Sequence, residues 1–232
     1  DAHKGRRGRL ALVGGATGMA GALILSTRAA LAAGCGLVRS WTESSGVPVL
    51  QQAVPQAITD VWPAANDDAA ESAWGTALAI GPGLGRGDTS YALLKRALRE
   101  NVGVPILLDA DALTLIALHS SSRDAAMALR EIGDTATSVV CTPHPREFER
   151  LIGAKVSADW QARADALQDF ATRANVIVVL KGTPTLIASP SGNALHTIAR
   201  GTALLATGGS GDILTGLIGA LLSQGIPAAS AA

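Results

Sequence analysis

Short apolar runs alternate with longer, periodically apolar ones along most of the 232 residues. RLALVGG (9–15) reads as a strand entering a glycine turn, and 18–33 as a helix of small residues. TALAIGPG (76–83) repeats the strand and turn. DTSYALLKRALREN (88–101) follows as a helix, with Leu94, Ala97 and Leu98 on one stripe and Asp88 or Thr89 as cap. VPILLDADAL (104–113) reads as an apolar strand closing on two aspartates. TSVVCTPHP (137–145) and NVIVVLKGTPT (175–185) share that design, with a helix at 157–174 between them. TLIASPSGNALHTI (185–198) reads as a hairpin turning at Ser191, Gly192 and Asn193. The last apolar run, ILTGLIGALLSQG, starts directly after the glycine-rich ATGGSGD. The Pro-, Ala- and Asp-rich stretch 53–72 is expected to be irregular.

Strands that are apolar throughout, rather than at every second position, are buried on both faces. The pattern therefore predicts an α/β fold, with a central, mostly parallel sheet covered by helices on both faces. The residues able to do chemistry follow the strands: GPGLG after one, DAD after the next, then TPHP, then KGTPT. Ligands of open α/β sheets bind beyond the carboxyl ends of the strands, so this edge is the expected site.

Composition narrows the function. A length of 232 residues and 48% hydrophobic content suffice for one substantial domain. Lys+Arg and Asp+Glu are both 19 and aromatics make up 3%, so neither a basic footprint nor a stacking platform for nucleic acid exists. No apolar run is long enough for a membrane span. Cys35 and Cys141 show no metal spacing and read as small core residues of a reduced, cytoplasmic protein. The chain opens without Met and stops at GIPAASAA, which sets the expectation of a longer protein, cut at its C-terminus and preceded by another domain.

Two nucleotide motifs are excluded. There is no G-x-x-x-x-G-K-[ST], and the glycines at 14, 15, 18 and 21 do not fit G-x-G-x-x-G. Gly208, Gly209, Ser210 and Gly211 instead form a candidate anion nest, whose amides point at a ligand from a helix start. Asp212 in the next position either helps cap that helix or serves as a base for a hydroxyl attacking a phosphoryl group. His144 and Glu147, three apart at another helix start, are a capping or core histidine and a first-turn acid, or site residues. Lys181 is a solvated strand-end lysine or a phosphate contact. One of Asp109 and Asp111 is a candidate for holding Mg²⁺ through water. His3, His119 and His196 have no partners at ligand spacing.

Taken together, HKGRRGRLALVGGATGMAGA, GPGLG, LLDADAL, TPHPREFERL, LKGTPTLI and ATGGSGDILTGLIGALL occur in the order and spacing of one family. From about His3 to Gln224 the chain resembles the ADP/ATP-dependent NAD(P)H-hydrate dehydratases, the C-terminal half of bifunctional nicotinamide-nucleotide repair enzymes. The resemblance implies a ribokinase-like fold and restoration of NADH or NADPH hydrated at C6, with ADP or ATP as phosphoryl donor, ADP favoured, and Mg²⁺. It implies that Asp212 is the base and contacts the hydrate, and that Ala22, Gly85 and His144 line the hydrated-cofactor site. Lys181, Gly182, Thr183, Pro184, Thr185 and Gly211 would hold the adenine nucleotide, and Glu147 would orient Mg²⁺ or its water. It also implies a homo-oligomer and an epimerase, fused upstream of Asp1 or separate. Arg146 departs from the family's TPHPGE, where a glycine stands, and changes the rim of the site. The alternative is a ribokinase-like kinase that releases a phosphorylated vitamin-type alcohol; a non-catalytic nucleotide-binding module ranks below both.

Overall fold

The computed structural model describes residues 4–62, 74–120, 125–192 and 195–232. The chain first builds β1 (Arg9–Val13), α1 (Ala20–Ala32), β2 (Leu37–Thr42), α2 (Val47–Ala53) and β3 (Ile58–Val61). It continues with β4 (Ala77–Ile80), α3 (Asp88–Glu100), β5 (Pro105–Leu108), α4 (Ala110–His119), α5 (Ala125–Thr135) and β6 (Ser138–Cys141). Then come α6 (Pro145–Ile152), α7 (Trp160–Ala174), β7 (Ile177–Leu180) and the hairpin strands β8 (Thr185–Ala188) and β9 (Leu195–Ile198). α8 (Ser210–Ser223) and α9 (Ala228–Ala231) close it.

The strands form one sheet in the order β3-β2-β1-β4-β5-β6-β7-β8-β9, parallel from β3 to β7 and antiparallel at β8 and β9. The direction of building reverses between β1 and β4, where both glycine turns emerge, and such a reversal opens a crevice at the carboxyl edge. Alternate strand residues serve opposite faces. Leu10, Leu12, Ala77, Ala79, Leu107 and Val140 pack with Leu23 and Ala30 of α1 and Ile218 and Leu222 of α8. Val13, Leu78, Ile80, Ile106, Leu108 and Val139 pack with residues of α3 to α7, including Phe148 and Phe170. Burying a Leu, Ile or Val side chain contributes roughly 1.5–3 kcal/mol, so the central strands of a sheet covered twice gain from apolar residues at nearly every position. Both cysteines are buried and free. No helix among the described residues is long and apolar enough to cross a membrane.

Three readings are corrected. The run 104–113 is strand only to Leu108; α4 starts at Ala110 and is buried on nearly every side, so its apolar residues carried no helical stripe. The stretch 53–72 contains β3, and its residues 63–72 lie outside the described residues. α3 has Gly87 at its N-cap with no side-chain cap; Asp88 sits in the first turn, where a carboxylate suits the helix dipole. The hairpin is present, with Asn193 outside the described residues.

The position of α8 depends on a close helix crossing. A Cβ added at Gly216 would stand 2.1 Å from the Ser26 carbonyl oxygen and 2.7 Å from the Ala29 Cβ, both on α1. Gly216→Ala therefore pushes the two helices apart. The expected cost is about 1–3 kcal/mol, as for other overpacked contacts. Thermal unfolding should show a midpoint lowered by roughly 3–10 °C for a chain of this size. An unchanged midpoint would mean that α1 and α8 do not cross here.

Candidate active site

The α8 N-terminus is entered through Gly209, at φ +91, a backbone conformation that strains any residue with a Cβ. A Cβ there would also meet Leu25 Cδ1 at 2.4 Å. Ser210 turns back onto the Thr207 carbonyl through its N–H (3.4 Å) and Oγ (3.0 Å). The amides of Gly211 and Asp212 have no acceptor among the described residues, as first-turn amides generally lack one inside the helix. Of the expected nest, Gly208 lies in open space and only Gly209 is left-handed, so the cradle is a helix N-terminus rather than a longer loop.

Beside those amides lies a charged pair. Lys181, just past β7, places Nζ 2.8 Å from Asp109 Oδ1, and Thr215 Oγ1, one turn into α8, donates to Asp109 Oδ2 at 2.7 Å. Asp109 is almost wholly buried at the N-cap of α4. A carboxylate at such depth needs both partners to offset its lost hydration. Gly211 touches this pair, since a Cβ on it would stand 3.5 Å from Lys181 Nζ. Burial raises the Asp212 carboxyl above its ordinary 3.8, the Asp109 and Asp111 charges raise it further, and Lys181 opposes them. A carboxylate made more basic in this way is better suited to taking a proton.

The opposite rim is set by α6. His144 is its N-cap: Nδ1 accepts from the N–H groups of Arg146 (3.1 Å) and Glu147 (3.3 Å), and Glu147 Oε2 accepts from the His144 N–H at 2.8 Å. This reciprocal capping box fixes the ring. Burial lowers the His144 pKa despite the neighbouring Glu147 charge, with Lys181 and Arg150 lowering it further. With Nδ1 accepting two amides, the ring proton belongs on Nε2, which lies 3.4 Å from Glu147 Oε1. The Lys181 N–H donates to the Pro143 carbonyl at 2.9 Å, joining this rim to β7.

The third wall is made by the two glycine turns. The Gly15 N–H reaches the Pro82 carbonyl at 2.9 Å and the Ala16 N–H the Gly83 carbonyl at 2.6 Å. Asp111 holds the second turn, accepting the Gly85 N–H at 3.0 Å and Arg86 Nε at 2.7 Å. Ala22 lies against Gly83, and Ser26 Oγ, one turn along, donates to the Asp212 carbonyl at 2.9 Å. Gly182 and Thr183 form an exposed turn, closed by Thr185 Oγ1 donating to the Gly182 carbonyl at 3.1 Å, with Pro184 half-buried between them.

Thus Asp212, Gly211 and Lys181 meet around Asp109, His144 adjoins them, and Ala22 and Gly85 stand on the β1/β4 side. Asp109 is the residue that the sequence reading undervalued. Neither aspartate of DAD is free for a metal, because Asp109 is bound to Lys181 and Thr215, and Asp111 to Gly85 and Arg86. Glu147 is committed to its cap, and no group of three or more His, Cys, Asp or Glu among the described residues could hold an ion. These donors do not fit a resident protein-held Mg²⁺.

Comparison with known proteins identifies the family. The chain is 37% identical over 240 positions to the ADP-dependent (S)-NAD(P)H-hydrate dehydratase of Neisseria meningitidis serogroup B, covering all of this chain and 75% of that one. It is 39% identical over 223 residues to the bifunctional NAD(P)H-hydrate repair enzyme of Escherichia coli, covering 96% of this chain and 40% of that longer protein. Among solved structures, the ADP/ATP-dependent NAD(P)H-hydrate dehydratase of Bacillus subtilis, co-crystallised with ATP and Mg²⁺, superposes with a TM-score of 0.80 at 29% identity over 99% of this chain and 79% of that one. The B. subtilis pyridoxal kinase, at 13% identity and a TM-score of 0.53, shares the ribokinase-like fold alone. With the family model for NAD(P)H-hydrate dehydratase matching residues 10–232, the chain belongs to that family.

Proposed function

We propose that the chain dehydrates NADH or NADPH hydrated at C6, using ADP, or ATP, as phosphoryl donor. The observation that carries this reading is Asp212: a basic, half-buried carboxylate in the first turn of α8, beside free amides and the Lys181–Asp109 pair. The amides of Gly211 and Asp212 and the Lys181 ammonium cradle the terminal phosphoryl group and steady the charge that develops on it. Asp212 takes the proton of the C6 hydroxyl while that oxygen bonds to phosphorus. The bond from phosphorus to the bridging oxygen breaks, releasing AMP from ADP or ADP from ATP. The C6–O bond then breaks with its electron pair leaving on phosphate, assisted by the ring nitrogen, and loss of a C5 proton restores the double bond. His144, fixed by its cap with Nε2 3.4 Å from Glu147 Oε1, borders the dihydronicotinamide side. Lys181 to Thr185 border the adenine nucleotide.

Any Mg²⁺ would be held by the nucleotide phosphates and water rather than by protein side chains, and Glu147 would meet it only through water. Hydration of C6 creates a stereocentre, so a site of one hand needs an epimerase, fused or separate, to use both forms. A cytoplasmic location fits two free, buried cysteines, and the family resemblance supports self-association.

The reading is tested with C6-hydrated NADH, Mg²⁺ and either ADP or ATP. Dihydronicotinamide absorbance should return in step with phosphate release. A phosphorylated product that accumulates, with no return of absorbance, would instead establish the kinase reading.

A further inference from the structure

Beyond His144, α6 leads into a cavity of about 490 Å³ lined by Arg146, Glu149, Arg150, Gly153, Ala154 and Lys155. Glu149 is engaged within it: Oε1 accepts the Val156 N–H at 3.1 Å and Oε2 lies 3.6 Å from Lys155 Nζ. Arg146 and Arg150 have no ion-pair partner among the described residues. They stand four apart on the exposed face of the helix, so their side chains reach the same region. Three cations against one carboxylate leave the cavity positive. Its tie to the site is Arg146, whose N–H is one of the two that hold His144 Nδ1.

We infer that Arg146 and Arg150 seat a phosphate group of the hydrated dinucleotide. The inference rests on the reading above, which places the reacting ring between Asp212 and His144. The adenine co-substrate's phosphates have their own cradle at α8, leaving the dinucleotide as the anion that passes His144. Guanidinium forks match phosphate oxygens in pairs, and neither fork has to give up an internal partner to do so. The phosphate is the pyrophosphate common to hydrated NADH and NADPH, or the 2′-phosphate that only the NADPH form carries.

The test compares wild type with Arg146→Gln, Arg150→Gln and the double variant, on hydrated NADH and hydrated NADPH, with ADP varied separately. Each substitution should raise KM for the dinucleotide about five- to tenfold, in the range of a charge-assisted phosphate contact at a wet rim. kcat and the KM for ADP should hold, and Arg146→Lys should recover part of the loss. Equal rises for both substrates place the pyrophosphate in the seat; a rise confined to hydrated NADPH places the 2′-phosphate there. Unchanged dinucleotide KM values, or an effect on ADP alone, would overturn the inference. Binding of NADPH, followed by its own fluorescence, gives a readout free of turnover, and the double variant should bind it more weakly. Arginine-dependent NADPH binding without turnover in wild type would refute the dehydratase reading and keep the seat. Wild-type turnover with indifferent arginine variants would sink the seat alone.

Discussion

Asp212→Asn should lose turnover by about 10²–10⁴-fold, the usual contribution of a positioned general base, and should melt at a higher temperature than wild type at neutral pH. Both effects have one cause. In the folded protein the Asp212 carboxyl is raised above 3.8 by burial first and by the Asp109 charge second. The folded state therefore keeps this proton to higher pH than the unfolded chain does. Across that window wild-type stability falls as pH rises, and above it the full cost of holding the ionised group remains. Asparagine carries no such cost, so the variant gains stability while losing the base, as expected where an active group is held against its preference. Wild-type turnover should rise with pH through an inflection above 3.8, because only the ionised form accepts the hydroxyl proton. Melting curves and pH–rate profiles of the two proteins check both halves. A variant that is inactive but less stable at neutral pH would mean that Asp212 is held by favourable contacts instead.

Lys181→Met should be the most destabilising single change at the site. It strips the buried Asp109 carboxylate of its cation and leaves Thr215 as the remaining side-chain donor. Breaking a buried pair from one side typically costs about 3–5 kcal/mol. Removing the charge on the other side as well, in Lys181→Met with Asp109→Asn, should recover most of that stability but none of the turnover, since the ammonium proposed to cradle the phosphoryl group is still missing. Denaturant unfolding of the single and double variants gives the coupling between the two residues. Additive losses would show that Lys181 and Asp109 are not a pair.

The sequence made the sheet legible where burial was simplest. β1, β4, β5, β6 and β7 are apolar at nearly every position because both faces are covered. β2 was not legible, for a specific reason: its buried positions are Val38, Ser40 and Thr42. The two hydroxyls are satisfied inside, Ser40 with Thr27 at 2.9 Å and Thr42 with the Gly15 carbonyl at 2.6 Å. An apolar–polar pattern cannot reveal a strand that buries its polar residues. α4 was hidden for the opposite reason, being apolar enough on all sides to pass for the end of β5.

At the site, local chemistry was readable and distant chemistry was not. His144 and Glu147 are three residues apart, the spacing of a capping box, and the structure closes that box. The importance of Asp109 depends on Lys181 and Thr215, 72 and 106 residues further along, which meet it only when β7 and α8 are laid across the sheet. The basicity of Asp212 has the same origin, because its two largest causes are burial and that distant carboxylate. Arg146 was visible as a departure from the family pattern, but its company with Arg150 and Lys155 around a cavity was not.

The central claim is that the C6 hydroxyl oxygen attacks the phosphoryl group, and an isotope decides it. Hydrated NADH carrying ¹⁸O at the C6 hydroxyl is turned over once with ADP, and the released phosphate is examined by mass spectrometry. The account predicts one ¹⁸O per phosphate and none in AMP. Label found in water, with unlabelled phosphate, would contradict it, because the hydroxyl would then have left without ever bonding to phosphorus.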